Sequence, residues 1–358
     1  MKRIVQTLIG LFVSGGALWL TLRGKDLAAI WRAALDADYR YLWPYFLILA
    51  AIHFVRTVRW GILLEPVARV PFAKLNSVSA VGFMALMILP FRLGEFARPY
   101  LVAERPHLRV SAALSSVVVE RVADGLFTAG LLVVTLLAVP AGTPGLALIR
   151  GAGWLMFAAF AALLAFLIVA YRSRETAVRF AERLIAPLSP GLAARLSGML
   201  DAFIRGLRLV PSRSKVALFF LLTFLYWALA GWGMQLLARG FGLDLALIDA
   251  YTVLGVLIVG VMIPAAPGMV GTFQYAVLLG LSLFVPREAL DVHGQAYAYV
   301  LWGAQLVQLT AFGLFFLFSR HIQIGRIVHA PEEVEGELTA DEQEYLASEA
   351  RRAAGDRR

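Results

Sequence analysis

The sequence predicts an all-α, polytopic integral membrane protein with six full transmembrane helices and two re-entrant helical hairpins, arranged as an inverted repeat. The first observation is composition: 60% of the 358 residues are hydrophobic, 16% are charged, and the mean hydropathy is +0.75. A soluble domain of this length could not bury so much apolar surface. The second is a pair of apolar segments that prolines interrupt, and the third is a strongly basic segment near the middle of the chain.

Six apolar runs are long enough to cross a hydrocarbon core of about 30 Å. They occupy residues 4–22, 41–64, 111–139, 151–171, 216–238 and 292–318. The first run is long and lacks a small-residue cleavage site, so we expect a retained helix rather than a signal peptide. Residues 26–39 have mixed polarity and are predicted to lie at the membrane surface, with aromatic anchors at Trp31, Tyr39 and Trp43.

Two further apolar segments are split into short pieces. The pieces are 76–89 and 92–104 around Pro90, and 250–263 and 272–285 around the turn at 264–271. Proline removes a backbone donor and breaks a helix, and a piece of 13 or 14 residues is only about 20 Å long. We therefore predict two hairpins that return to their own side of the membrane, with tips buried in protein or lining a wet cavity.

Charge sets the predicted orientation. Residues 172–215 contain nine basic and three acidic side chains, a net charge of +6 (9 − 3), and such loops remain in the cytoplasm. Six spans and two returning hairpins then place the N-terminus, this loop and the tail from Arg320 together in the cytoplasm. If residues 75–104 crossed the membrane, the basic loop would face outward. The predicted organisation is a transmembrane domain over 1–325, the basic cytoplasmic loop, and a charged cytoplasmic tail over 326–358.

The order of segments repeats. Residues 41–139 and 216–318 each read as a span, a broken hairpin and a second span. The first span begins 49 residues before Pro90 in one unit and 48 residues before Pro264 in the other. One unit enters from outside and the other from inside, so the repeat is inverted. Paired interrupted segments of this kind indicate the central site of a transporter, although two breaks at matching spacing can also arise by chance.

Charged side chains collect beside the first break and in the following span. Three follow Pro90 within one helix face of about 120°: Arg92, Glu95 and Arg98. Charges inside a membrane helix indicate a functional site, and the planar fork of arginine suits phosphate. We expect the arginines to bind an anionic lipid headgroup while Glu95 orients them. The alternative is an ion-paired group at the membrane interface.

The third span carries a second charged group, with two carboxylates one helical turn apart: Glu120, Arg121 and Asp124. We expect its carboxylates to partner Arg92 or Arg98 and to contribute to the substrate site, with a capacity to carry a proton. A buried structural salt-bridge network is the alternative for this group.

Two weaker candidate sets complete the predicted site. In the turn at 264–272, Gly268 and Gly271 would let backbone amides approach a ligand at a helix N-terminus, and Thr272 and Gln274 belong to the same motif. A hinge or packing role is the alternative. Three side chains near the end of the second span are lower candidates, with snorkelling toward the surface as the alternative: His53, Arg56 and Arg59.

The sequence lacks the residues and motifs that several kinds of chemistry require. There is no cysteine, which excludes disulfides, thiolate metal sites and cysteine nucleophiles. No metal-ligand spacing, phosphate loop, dinucleotide fingerprint, hydrolase motif or nucleic-acid motif is present. We therefore expect no cofactor, no metal, no catalytic residue and no nucleic-acid partner.

The motifs resemble those of a known family. LPFRLGEFARPYLVAE (89–104) is similar to the P-x-R-x-G-E-x-x-R signature of the lysylphosphatidylglycerol synthase transmembrane region, also called the flippase-like family. VVVERVAD (117–124) resembles its E-R-x-x-D helix, VRW (58–60) its R-W helix end, and PAAPGMVGTFQ (264–274) its late Pro-Gly turn. The late turn departs from the more glycine-rich form expected there. The resemblance covers about residues 1–325.

The resemblance implies a lipid translocator or a lipid-handling partner in the bacterial or archaeal cytoplasmic membrane, without the aminoacyl-transfer domain that some relatives carry. We expect a flippase- or scramblase-like protein, passive or ion-coupled, that moves an anionic phospholipid or a polyprenyl-phosphate-linked lipid. One alternative is a membrane transferase for polyprenyl-phosphate glycolipids, with Glu120 or Asp124 as base. Another is a non-transporting partner of a lipid synthase. Candidate protein partners are a second copy of the chain and a lipid-synthesis enzyme.

Overall fold

The computed structural model describes residues 2–89, 94, 95, 97–103, 108, 110–173, 183, 212–263 and 265–319. Every regular element in these ranges is helical. The α-helices are α1 (Lys2–Leu22), α2 (Leu27–Leu35), α3 (Leu42–Leu64), α4 (Phe72–Ile88), α5 (Ala97–Val102), α6 (Val110–Thr135), α7 (Leu146–Arg172), α8 (Arg213–Arg239), α9 (Leu247–Gly260), α10 (Thr272–Leu281) and α11 (Gln295–Leu317). Short 3₁₀, α and π turns connect some of them: Tyr39–Tyr41, Leu136–Ala138, Pro267–Met269, Arg287–Ala289 and Leu290–Gly294.

Four of the predicted spans are helices long and apolar enough to cross a membrane. With their adjoining turns they cover Tyr39–Leu64, Leu146–Arg172, Arg213–Arg239 and Arg287–Leu317. Large apolar side chains such as Leu155, Phe220 and Phe315 stay exposed on their outer faces, as contact with lipid requires. The 26-residue helix α6 is also about 39 Å long, but it carries the charged group predicted from the sequence.

The segment predicted to lie at the membrane surface contains the short helix α2. Asp26 caps α2 by accepting hydrogen bonds of 3.0 Å from the amides of Ala28 and Ala29, which fixes where this helix begins. Trp31 and Trp43 are 65% and 76% exposed, so their rings are available to a membrane interface.

Both broken segments remain short helices. The first pair is α4 and α5, of 17 and 6 residues. The helix α5 is much shorter than the predicted piece at 92–104. The tip residues 90–93 lie outside the described part of the chain. The second pair is α9 and α10, of 14 and 10 residues. The two members of each pair pack against each other; that each pair is a re-entrant hairpin stays a prediction.

Buried apolar clusters join each pair to the rest of the bundle. Leu75 on α4 and Val102 at the end of α5 share one cluster with Leu64. Leu245 just before α9 and Leu281 at the end of α10 share a second cluster.

Polar contacts tie the loops together at the two ends of the bundle. At one end the Asp38 amide donates to the Gly240 carbonyl at 2.8 Å, and Lys25 forms an ion pair with Asp291. At the other end Lys215 bonds to Glu65, and this hydrogen bond lowers the pKa of the Glu65 carboxyl. Helices α3 and α8 therefore run between the same two ends.

The helix contacts have the symmetry of two matched units, one containing α3 to α6 and the other α8 to α11. The first helices of the units, α3 and α8, pack against each other. Helix α4 packs on α11 as α9 packs on α6, and α5 packs on α6 as α10 packs on α11. At the centre, the turn Pro267–Met269 packs against α4, which brings the second hairpin tip to the end of the first hairpin's longer helix.

Candidate functional site

Arg59 is a fully buried charge at the centre of the bundle, with 0% of its surface exposed. Its two terminal nitrogens bind both oxygens of Asp124, and Nη2 also donates to Glu120 Oε1 at 2.8 Å. Nη1 donates a further bond of 3.1 Å to the Thr223 hydroxyl. Glu120 and Asp124 lie one turn apart on α6, so both carboxylates face the same arginine. Arg59 thereby joins α3, α6 and α8.

Arg98 is a second buried arginine, 3% exposed, on the opposite side of Glu120. Its Nη2 donates to Glu120 Oε2 at 2.8 Å, which confirms the expected pairing between the two motifs. The guanidinium carbon lies 5.0 Å from the Trp60 ring centroid and 4.9 Å from that of Phe83. Its aliphatic stem crosses Gly82, where any β-carbon would collide with it. The arginine thus anchors α5 against α4 and α6.

Two other arginines are more accessible. The Arg121 side chain is 25% exposed, and its Nη2 lies 3.6 Å from Glu120 Oε1 and 3.4 Å from Asp124 Oδ2, longer than a good charge-assisted bond. The Arg56 guanidinium carbon stacks 3.7 Å from the Phe83 ring centroid and 5.5 Å from that of Tyr226. These two cations have donor capacity left for a ligand.

A cavity of about 470 Å³ opens beside both of them. Its walls come from α3, α4, α6, α8, α9 and α11, with the second hairpin tip closing one side. Its charged lining residues are Arg56, Glu95, Arg121 and Asp124, and Thr128, Tyr226 and Gln305 add polar atoms. Most of the remaining lining is apolar, including Met87, Leu257 and Phe273. This is the usual composition of a ligand site, a mostly apolar cleft with a few fixed polar groups.

The charged residues that line the cavity balance one another, because Arg56 and Arg121 oppose Glu95 and Asp124. Beside this lining, Arg59 and Arg98 are ion-paired with Glu120, and Arg59 also with Asp124. Arg92, the first arginine of the predicted set, lies outside the residues that the structure describes.

The comparison with protein families agrees with this geometry and with the motifs. The family model described as lysylphosphatidylglycerol synthase TM region matches residues 7–322. The chain belongs to this family. It is therefore an integral membrane protein linked to lipid biology, and the resemblance found in the sequence is confirmed. Neither the search of curated proteins nor that of solved structures gave a match.

In this family member the late turn is held by internal hydrogen bonds. The Gly271 amide donates to Gln274 Oε1 at 2.7 Å, and the Gly268 carbonyl accepts from Trp302 at 2.7 Å. Thr272 donates to the Met269 carbonyl at 3.1 Å. Gly268 and Gly271 both have positive φ, at 73° and 85°, which explains the glycines. None of the four predicted residues lines the cavity, and their binding role stays a prediction.

The three candidates on α3 were the weakest of the predicted set, but the structure gives them a larger part in the site than the sequence indicated. Snorkelling is wrong for Arg59 and His53, which are 0% and 2% exposed; His53 Nε2 instead lies 2.9 Å from Asn76 Oδ1. Arg56 lines the cavity. Thr223, Tyr226 and Gln305 belong to the site but were not predicted from the sequence. Their only signal was a polar atom inside a long apolar run.

The structure offers no metal site of its own in the part that it describes. No group of three or more histidine, aspartate or glutamate side chains is close enough to share an ion. The cluster consists instead of arginines that are ion-paired with carboxylates.

Proposed function

We propose that this protein is a flippase- or scramblase-like translocator of an anionic lipid in the cytoplasmic membrane of a bacterium or archaeon. The lipid is a phospholipid or a polyprenyl-phosphate-linked lipid. The observation that carries the proposal is the cavity of about 470 Å³ between the helices, in which two accessible arginines lie in a mostly apolar wall. Membership of a family linked to lipid synthesis supports lipid as the substrate.

In this proposal Arg121 and Arg56 hold the headgroup phosphate. Both line the cavity, whereas Arg59 and Arg98 are already engaged by carboxylates. A guanidinium can bond two phosphate oxygens and stays charged in an apolar site. The apolar lining of the same cavity accommodates the first part of the lipid tail, so only the phosphate must be compensated electrostatically.

The matched units suggest how the site could open to each side in turn. Transporters with inverted repeats move one unit against the other around a central site. Here α3 and α8 pack together between the two units, and Arg59 on α3 bonds to Thr223 on α8. We place the pivot at this contact. The proposal includes two re-entrant hairpins, each of which returns to its own side of the membrane.

The contacts at the bundle ends support the proposed orientation. If the basic segment 172–215 is cytoplasmic, the end that holds Glu65 and Lys215 is cytoplasmic too. The end with Asp38 and Gly240 then faces outward, together with the surface helix α2. The N-terminus and the C-terminal tail fall on the cytoplasmic side in this arrangement.

We favour a transporter over an enzyme because the two carboxylates proposed as catalytic bases are held by arginines. Asp124 is bonded by both terminal nitrogens of Arg59, and Glu120 by Arg59 and Arg98. A carboxylate held in this way already has arginine donors on its oxygens, which leaves it less free to contact a substrate hydroxyl. A transferase that uses either residue therefore has less support than translocation.

Reconstitution tests the proposal. The full chain is placed in liposomes that contain a fluorescent anionic lipid on both leaflets, and an impermeant quencher is added outside. A translocator allows quenching of nearly all the lipid, whereas a non-transporting partner leaves about half protected. Mass spectrometry of the recovered lipid separates transport from chemistry: unmodified lipid supports the translocator, and a new covalent product supports the transferase.

A further inference from the structure

We propose that a groove beneath the surface helix α2 holds one acyl chain of a resident phospholipid, one that stays with the protein and is not transported. The groove has a volume of about 560 Å³ and lies between the end of α1, α2, the start of α3 and the N-terminal part of α11. Its side chains are apolar except for the Tyr299 hydroxyl and the Trp31 ring nitrogen. The inference concerns a second site and does not depend on the translocator.

The groove lies on the opposite face of α11 from the cavity that Arg56 and Arg121 line. Its lining residues on α11 recur every three or four positions and therefore share one helix face: Ala296, Tyr299, Val300, Gly303, Ala304 and Val307. Gln305 belongs to the arginine-lined cavity, and at 3.6 residues per turn it points roughly 160° away from Gly303. The two spaces share no lining residue, so each has its own occupant.

The dimensions of the groove match one acyl chain of one leaflet. Ala296 and Val307 are 11 positions apart (307 − 296), so the groove follows α11 for roughly 16 Å, about half of a hydrocarbon core of about 30 Å. Its volume divided by this length gives a mean cross-section of about 35 Å². A helix about 10 Å in diameter needs about 80 Å². An extended hydrocarbon chain therefore fits inside, whereas a helix of a partner protein does not.

The apolar lining favours the same occupant. A buried water needs two to four polar partners, and large apolar cavities stay dry and bind apolar molecules instead. An empty groove would also leave its lining side chains without dispersion contacts on one side. In this membrane protein the abundant apolar molecules are lipid chains, so a chain of the surrounding bilayer fills the space at least cost.

The mouth of the groove has the features of a phospholipid site at a membrane surface. Trp31 lines the groove and is also 65% exposed, as is typical of tryptophan at a membrane interface. Two exposed arginines, Arg23 and Arg32, directly follow the lining residues Leu22 and Trp31 in the sequence. These cations offer a phosphate complementary charge at the mouth, while the chain attached to it extends along α11.

One polar atom inside the groove lacks a partner. The Tyr299 hydroxyl is buried and makes no hydrogen bond within the described part of the chain. Thr21 lies close to it, but the Thr21 hydroxyl donates to the Leu18 carbonyl at 2.8 Å. Buried polar atoms are nearly always bonded. The ester carbonyl at the head of an acyl chain is an acceptor for Tyr299, which a plain hydrocarbon would not provide.

Photo-crosslinking identifies the occupant. The full chain is purified in mild detergent with phosphatidylcholine that carries a diazirine in one acyl chain, loosely held lipid is removed by gel filtration, and the sample is irradiated. Phosphatidylcholine has no net charge, so it is not the anionic lipid proposed as the transported substrate. Peptide mass spectrometry then maps the adducts. We expect most of them on the groove face of α11 and on Phe46 across the groove.

A leucine at Gly303 blocks the groove without straining the helix. A β-carbon there meets nothing within 4 Å, so the leucine side chain extends into the groove, and leucine is a good helix former. We expect Gly303→Leu to reduce the α11 adducts by at least about tenfold, because a filled groove has no room for the chain. Gly151→Leu is the matched control, since Gly151 on α7 is equally open and lies outside the groove; it should keep full labelling.

Melting temperatures provide a second measurement on the same variants. Added phosphatidylcholine should raise the melting temperature of the delipidated unaltered protein and of Gly151→Leu, because a ligand that binds only the folded state stabilises it. The shift should be much smaller for Gly303→Leu, whose groove is already filled by its own side chain.

Three results would overturn the inference. Adducts spread evenly over the lipid-facing helices, or undiminished in Gly303→Leu, would show that the groove holds no lipid of its own. Labelling by an anionic photolipid alone would assign the groove to the transported lipid. A dimer in native mass spectrometry that Gly303→Leu dissociates would assign the groove to a second copy of the chain. A failed quenching assay bears only on translocation and leaves the groove assignment standing.

Discussion

Arg59 of α3 and Asp124 of α6 form a two-bond ion pair in which the arginine side chain is 0% exposed and the aspartate 7%. Glu120 and Thr223 complete the shell of the same guanidinium. Because one cation joins three helices at the level of the cavity, its first role is structural. It holds α6, and with it Arg121, in place beside the cavity.

Removing this arginine should therefore destabilise the fold. Arg59→Ala leaves two buried carboxylates with less compensation, and breaking a buried ion pair by deleting one partner costs about 3–5 kcal/mol. We expect a clear fall in the melting temperature of the detergent-solubilised protein. Arg40→Ala is the control, since the Arg40 side chain is 90% exposed. An unchanged melting temperature for Arg59→Ala would show that the cluster does not hold the helices together.

The crossing of Arg98 over α4 gives a second stability test. Gly82→Ala introduces a methyl group that collides with the stem of Arg98, so the arginine must leave Glu120 or the helices must separate. We expect a loss of about 1–3 kcal/mol, the usual cost of overpacking.

The control for this variant is another helical glycine. A β-carbon at Gly151 meets nothing within 4 Å, and alanine there should be neutral or stabilise α7 by up to about 1 kcal/mol. If Gly82→Ala and Gly151→Ala melt at the same temperature, Arg98 is not tightly packed against α4.

The proposed orientation can be checked with single cysteines, because the chain has none of its own. Thr143 lies between α6 and α7, and Ser189 lies in the basic segment 172–215. In intact cells a membrane-impermeant maleimide should label cysteine at 143 and should not label cysteine at 189. Labelling of 189 alone would mean that the basic segment faces outward and that the first hairpin crosses the membrane.

The sequence predicted the breaks in both apolar segments and the pairing of Arg98 with a carboxylate, because proline and charge are local signals. Pro90 and the turn at 264–271 marked the breaks, and the pairing of Arg98 with the carboxylates followed from charge alone. Helix bounds were predicted less well. The helix α5 is shorter than the predicted piece at 92–104. The helix α11 begins after a π-helical turn at Leu290–Gly294.

The sequence could not show which arginines face the ligand. That depends on how α3, α4 and α6 are rotated about their axes. In a soluble protein a polar face would reveal the rotation, but here lipid and protein interior are both apolar, so the helix faces look alike. For the same reason Tyr226 and Gln305 could not be distinguished from other residues of apolar helices. Only the packing of the helices shows that Arg56 and Arg121 are the arginines that line the cavity.

The central claim is that these two arginines bind the phosphate of a lipid that crosses the membrane. The decisive measurement is the quenching assay in liposomes on Arg56→Ala and Arg121→Ala, with Arg40→Ala as the control and melting temperatures in parallel. A charge-assisted bond contributes about 1.5–3 kcal/mol, so each variant should move lipid at least about tenfold more slowly. Lysine should restore only part of the rate, because an ammonium lacks the fork. Folded Arg56→Ala and Arg121→Ala proteins that both translocate at the unaltered rate would contradict the account.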